Sequence, residues 1–448
     1  MIDIARRLYA HVEALFPICR SITGPGLRQT LDYIQQHTGA TVCEVPTGTP
    51  VLDWEIPREW SPRSATISRL SGEVIVDFAD HNLHLLQYSH AVDAIVPADE
   101  LARHLFSLPD QPDLIPYRTA YYADTWGFCV TERQRAAITD AAYRVRIDAD
   151  LAPGSLSYGE LFLPGETGKE VLLSVHCCHP SLANDNLSSI AVAIELAQHL
   201  VVQPYRRYGY RLLFVPGTIG AIAWLEANRN APSRVMHGLV LSCLGDSGAP
   251  TYKRSRRGDA TIDRIVAHVL RSRGHGDRLR TFVPYGYDER QYGSPGFNLP
   301  VGCLMRSPNG SFPEYHTSAD NLTFVRPDAL ADSLDLLKTI VDVVECDHVP
   351  VNLSPFGEPQ LGRRGLYAAI GGQRETADAD QRFDQLTLLW VLNQADGTNS
   401  LLDIADRAEK PFGQVAAAAA ALRTAGLLLN LEEGEAGLTH GVAGPRDR

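Results

Sequence analysis

Between about Gly168 and Asp347 the sequence keeps returning to one pattern, a short apolar run followed by a helical stretch. The runs are VLLSV (171–175), YRLLFVP (210–216), GLVLSCL (238–244) and LPVGCLM (299–305). The helical stretches are SSIAVAIELAQHLV (188–201), GAIAWLEANR (220–229), IDRIVAHVLRSR (262–273) and PDALADSLDLLKTIVDVVE (327–345). An apolar run with no polar alternation must bury both of its faces. A strand does so inside a mostly parallel sheet with helices on both faces, which predicts an α/β fold. Active sites of such sheets lie beyond the carboxyl ends of the strands.

Polar clusters stand at those ends. HCCHPSLANDN begins at His176, one residue beyond VLLSV, and Asp185 follows in the loop before the next helix. LLFVP runs into GTIG (217–220), GLVLSCL runs into GDSG with Asp246, and PEYHTSADN supplies His316 and Asp320. Imidazoles and carboxylates drawn from several strand tips are the ligand types that zinc takes. The bland alternative is a hydrogen-bonded network that supports loops. His179, held by Pro180, reads better as an outer donor orienting a ligand. Cys177 and Cys178 lack an evident base and electropositive setting, so they read as small buried hydrophobes rather than nucleophiles. In DERQYGSPGF (288–297), Arg290 and Tyr292 are candidates to line a substrate pocket, and Asp288 or Glu289 to hold a substrate amine. A turn-rich loop with Arg290 paired to Asp288 is the competing account. Arg20 and Ser21 precede a glycine turn within reach of the same cleft.

The rest of the chain has other textures. ATISRLSGEVIVDF, HNLHLLQYS, LIPYRTAYY and YRVRIDADL, within 61–163, look like strands of a small β-rich domain. A Pro/Gly-rich linker, VNLSPFGEPQLGRRG (351–365), precedes three helical patterns and a short strand pair broken by DG and AG, the layout of a winged helix. The total of 448 residues fits two or three domains. A net charge of −12, and the acidic stretch LEEGEAG where a wing should be basic, argue against nucleic acid. Protein contact or self-association fits that module better. Neither a signal peptide nor a membrane-length apolar run is visible, and the eight cysteines form no framework. The expected compartment is the cytoplasm.

Several segments together resemble a known family. They are FPICRSITGPGLRQTL (16–31), VPTGTPVLDWEIPREW (45–60), HCCHPSLANDN (176–186), GTIGAIAWL (217–225), CLGDSG (243–248), DERQYGSPGFNLPVGCLMRS (288–307), PEYHTSADN (313–321), PQLGRRGLY (359–367) and LLWVLNQADG (388–397). The chain resembles bacterial aminopeptidase-like domain proteins, within the zinc aminopeptidase and glutamate carboxypeptidase superfamily. The resemblance implies a catalytic domain over 1–58 and 164–350, an inserted β-rich domain over 59–163 and a winged helix over 360–448. It implies one or two zinc ions. His176 and Asp246 would serve the first, His316 the second, and Asp185 would bridge them, with His179 and Asp320 behind. It also implies hydrolysis of an amide in a small peptide or amino-acid conjugate by metal-activated water. Two positions depart from the pattern. Where two-zinc peptidases have consecutive glutamates, the first being the general base, this chain has Gly217 and Thr218. Glu289, Glu314 and Asp320 could replace the base, and Glu314 and Glu289 are the candidates taken forward. Two rivals follow from that loss: a single-metal enzyme of other amide or C–N chemistry in specialised or polysaccharide metabolism, and a ligand-binding pseudopeptidase acting through its winged helix.

Overall fold

The computed structural model describes residues 2–366 and 383–431, which form two compact units. The larger unit, residues 1–263 and 278–337, is built on an eight-stranded sheet. Its strand order is Thr41–Pro46, Ser155–Leu163, Gly209–Val215, Glu170–His176, Val235–Leu241, Val301–Met305, Thr251–Lys253 and Leu279–Arg280. The four strands from Gly209–Val215 to Val301–Met305 run parallel. Every residue of Glu170–His176 is buried, which is why its sequence shows no alternation. Helix Ser189–Val201 is buried from Ser189 to Ala197, and helix Ile219–Ala227 from Ile219 to Leu225. Helices apolar around their whole circumference are interior helices. Trp224 is fully buried and meets Tyr292 edge to face at 6.2 Å.

The inserted region forms an antiparallel sheet in the order Val74–Asp77, Glu59–Arg69, Ala142–Ala152 and Val92–Pro97. Two segments expected as strands are not. Residues 81–89 hold a short 3-10 turn, Asn82–His84, and residues 114–122 are irregular; both are fixed by single bridges such as Gln87–Thr119 and Pro116–Thr317. Side-chain bonds to backbone replace the ladder here. His84 Nδ1 meets Cys129 O at 2.8 Å, and Gln87 Nε2 donates to Arg20 O at 2.6 Å. The boundary expected at 163 is also misplaced. Ser155–Leu163 pairs with Thr41–Pro46 and Gly209–Val215, so it belongs to the large sheet and the insertion ends near Ala152.

The second unit comprises residues 264–277 and 338–448. Helices Gln385–Gln394, Leu401–Ala408 and Phe412–Thr424 bury Leu388, Val391, Leu402, Val415 and Leu422. Asp384 caps the first through Thr387 N at 2.8 Å, and Ser400 with Asp403 forms a capping box on the second. The strand pair of the wing is Val349–Asn352 with Leu428–Leu431. Its first strand lies partly in the stretch that read as linker. The acidic stretch past Leu431 and the end of PQLGRRGLY lie outside the described residues. Among the described residues no helix is long and apolar enough to cross a membrane.

Candidate metal centre

His176 is the last residue of its strand, and the ladder continues one step further through Cys177 N to Val215 O at 2.9 Å. The chain then doubles back through Pro180 and Ser181, the latter at φ 46°, and is tied down by Ala183 N to Asp320 O at 2.9 Å. Non-helical backbone at Asp185 and Asn186 interrupts the helix entry. That interruption turns the Asp185 carboxylate back to the strand end, where Oδ1 lies 2.7 Å from His176 Nε2. His316 reaches the other oxygen, with Nε2 3.0 Å from Oδ2. It sits at φ 56°, a left-handed conformation uncommon outside glycine. The inserted region holds it there: Tyr117 N donates to His316 O at 2.8 Å, and Ser318 N to Ile115 O at 2.9 Å.

His179, expected in an outer role, belongs to the inner group. Its Nδ1 is 3.3 Å from Asp185 Oδ2 and 3.1 Å from Asp185 O. His176, His179 and Asp185 offer ligand atoms that all lie within 4.8 Å of one another, and all three are buried. Burial opposes the charge on Asp185, but His179, His176 and His316 outweigh it and hold the carboxyl well below its usual range. Burial pushes His176 down to about 4 and lowers His316 as well, against the pull of Asp185. Imidazole nitrogens around a carboxylate held in its ionised form are the donor types that zinc takes. The residues therefore fit the ion.

Outer contacts fix these groups. Asp320 accepts from Asn184 N at 2.6 Å and Asp185 N at 2.9 Å, and burial raises its carboxyl to about 7. Arg20 is fully buried and donates Nε to His179 O at 2.9 Å, while Ser21 bonds Gln87. Each imidazole has an aromatic neighbour. Tyr287 stacks on His176 at 3.6 Å between centroids and Tyr315 on His316 at 3.9 Å. Tyr117 meets His179 and His316 edge-on at 5.0 Å each. These tyrosines carried no signal in the sequence except that Tyr287 adjoins DERQY and Tyr315 adjoins His316.

Other expected roles are corrected. The third strand ends at Leu241, and Cys243 at φ 51° turns the chain away, so Asp246 is not at a strand tip. Its carboxylate is occupied by Asn184 Nδ2, Gly248 N, Ser307 Oγ and Ser307 N at 2.8, 2.7, 2.7 and 3.2 Å. It anchors loops. Glu289 is fully buried in an ion pair with Lys253, which removes it as the base. Among the described residues the side chain of Glu314 shows no bond to the centre; its backbone carbonyl accepts from Thr317 N and Oγ1. Tyr292 is a core residue, with its hydroxyl 2.9 Å from Ser174 Oγ. Arg290 is exposed, with Nη1 3.5 Å from Pro284 O. Asp288 is not paired to it. The Asp288 carboxylate is buried without a hydrogen-bond partner among the described residues, and burial raises it well above the usual range. Cys177 and Cys178 are free and buried, and burial pushes Cys178 up to about 12, which suits packing rather than nucleophilic attack.

Residues 9–347 match the family model described as a domain of unknown function, DUF4910, and residues 348–430 match a winged helix-turn-helix model. This chain belongs to the DUF4910 family. A Clostridium acetobutylicum protein, provisionally named a polysaccharide biosynthesis protein with an aminopeptidase-like domain, is 45% identical over 94% of this chain and 95% of its own length. A crystal structure from Clostridium acetobutylicum, provisionally described as a peptidase, matches at TM-score 0.90 and 42% identity over 96% of this chain and 97% of that one. A zinc aminopeptidase from Bacillus subtilis matches at TM-score 0.56 and 14% identity, over 76% of this chain and 94% of that one. At that identity the likeness speaks for the fold alone. The larger unit is thus an aminopeptidase-like α/β domain, followed in sequence by a winged helix.

Proposed function

We propose that this protein is a single-zinc enzyme on the aminopeptidase fold, acting on an amide bond of a small peptide or amino-acid conjugate. The observation that carries the reading is the buried group His176, His179 and Asp185, with His316 on the same carboxylate. One ion is favoured over two because the further carboxylates are missing or engaged. Thr218 is neutral, Asp246 is used by its loop, and Glu289 is paired with Lys253. Zinc in such a site polarises a carbonyl and acidifies water toward ~7. The chain's own residues supply a fixed charge at Asp185, a backbone brace at Asp320 and aromatic neighbours that restrict the imidazole rings.

The missing general base bears on the substrate. A positioned base contributes about 10²–10⁴-fold to such reactions, so a chain without one is a poor general peptidase. The name of the 45%-identical relative directs the search to amino-acid or acyl conjugates of sugars. The zinc-loaded protein should therefore cleave aminoacyl anilides poorly and at least one acylated or aminoacylated amino sugar well. Liquid chromatography with mass detection on both panels checks this, with Asp185→Asn as the blank. Rapid anilide hydrolysis, or equal product from the blank, would contradict the proposal.

A further inference from the structure

Gly217 stands just past strand Gly209–Val215, where the resemblance expects a glutamate, and the space beside it is filled. A Cβ built at 217 would lie 1.9 Å from Tyr287 Cε1, 2.5 Å from its Cζ and 2.6 Å from its hydroxyl. Carbon atoms in contact prefer about 3.5–4.0 Å. No side chain fits at 217 while that ring is in place.

The ring is held from both sides. Its face lies on His176 at 3.6 Å with 24° between planes, and its hydroxyl is 3.4 Å from His179 Nε2 and 3.4 Å from Cys178 Sγ. Behind it, Tyr287 N donates to the Glu289 carboxylate at 3.1 and 3.2 Å. Glu289 pairs with Lys253, whose ammonium also donates to Tyr285 O at 2.7 Å. Lys253 and Glu289 are both buried. Gly286 lies at φ 148°, and a Cβ there would be 2.3 Å from both Lys253 Nζ and Glu289 Oε1, so the clamp closes only over glycine.

We propose that Tyr287 is a positioning residue for the His–Asp centre, admitted by Gly217 and held by the Lys253–Glu289 clamp. Its ring sets the plane of His176 and its hydroxyl sets the orientation of His179. The role rests on the zinc reading above. With His179 Nδ1 turned to Asp185, the remaining ring nitrogen belongs to the hydroxyl, the arrangement by which an outer partner orients a ligand imidazole. Gly217 and Tyr287 therefore form a steric pair, in which the ring occupies the space a side chain at 217 would need. A glutamate at 217 alone overfills the site.

Four variants test this: Tyr287→Phe, Tyr287→Ala, Gly217→Glu and the double Gly217→Glu/Tyr287→Ala. Melting temperature and zinc affinity are measured for each. Gly217→Glu should lower the melting temperature by several degrees or prevent folding, as overpacked sites do, and cost much less in the Tyr287→Ala background. Tyr287→Phe keeps the ring, so it should melt like the parent while its zinc dissociation constant rises about tenfold. Additive effects at 217 and 287 would overturn the pairing whatever the metal content. Unchanged zinc affinity in Tyr287→Phe would overturn the role of the hydroxyl. A parent that takes up no zinc would overturn the reading of the centre and the positioning role with it, while the melting cycle would still decide the pairing.

Discussion

Asp185 and Asp246 are both buried carboxylates in loops beyond the sheet, and they differ in where their lone pairs go. Asp185 spends its side-chain oxygens on imidazoles, whereas Asp246 spends its own on an amide, a hydroxyl and two backbone N–H groups. The first arrangement suits a cation and the second suits a loop anchor. Asp246→Asn should therefore lower stability by about 1–3 kcal/mol, since an amide cannot accept all of those bonds. Its zinc content should stay at the parent level. Denaturant unfolding and elemental analysis on the same preparation check both, and loss of zinc without loss of stability would restore Asp246 as a ligand. At this scale the sequence was readable where residue type alone marks a position. His176 ends an apolar run, Asp185 and His316 stand in polar clusters of later loops, and the structure brings the three together. It was not readable where the answer depends on a partner's direction. Nothing in the letters separates Asp246 from Asp185, or tells that Glu289 faces Lys253 and that His179 faces inward.

Whole elements were easier to read than their ends, because periodicity reports burial averaged over several residues. The four interior apolar runs and four helical stretches of residues 168–347 all form elements of those types. The segments at 81–89 and 114–122 were misread as strands because β-branched and aromatic residues there serve packing and side-chain-to-backbone bonds instead of a ladder. Helix Ser189–Val201 also shows how an interior helix accommodates a charge. Glu195 is 5% exposed and meets Arg7 of helix Ile2–Leu15 at 2.9 and 3.0 Å, with His11 Nε2 at 3.6 Å. Burial opposes its charge, but His11 and Arg7 outweigh that and bring its carboxyl from 4.5 down to about 2. A carboxyl depressed on folding adds stability above its unfolded value, and that stability fades as pH falls from about 5 toward 2. Arg7 is half exposed, so solvent screening reduces the effect to about 1–2 kcal/mol at neutral pH. Glu195→Gln should be less stable than the parent by that amount at pH 7, and the gap should close as pH falls to about 2. Denaturant midpoints across that range check the convergence. A gap that does not shrink between pH 5 and pH 2 would rule out the ion pair as its cause.

At the scale of the molecule, an aminopeptidase-like domain carries an insertion that reaches back to the centre. Ile115 and Tyr117 bond the backbone around His316, so the inserted region helps to shape the site. The second unit contains the winged helix, residues 348–430, whose helix Phe412–Thr424 packs through Phe412, Val415 and Leu422. The winged helix was legible because its three helical patterns and short strand pair differ in periodicity from the α/β region. The insertion boundary was not, because Ser155–Leu163 reads as a strand whichever sheet it joins. All of these parts acquire a function through one claim, that His176, His179, Asp185 and His316 hold zinc. The most direct test is elemental analysis of chain purified without chelator, beside Asp185→Asn verified as folded by circular dichroism. The account predicts about one zinc per chain in the parent and none in the variant. A folded parent free of zinc, or a variant that keeps it, would contradict the account.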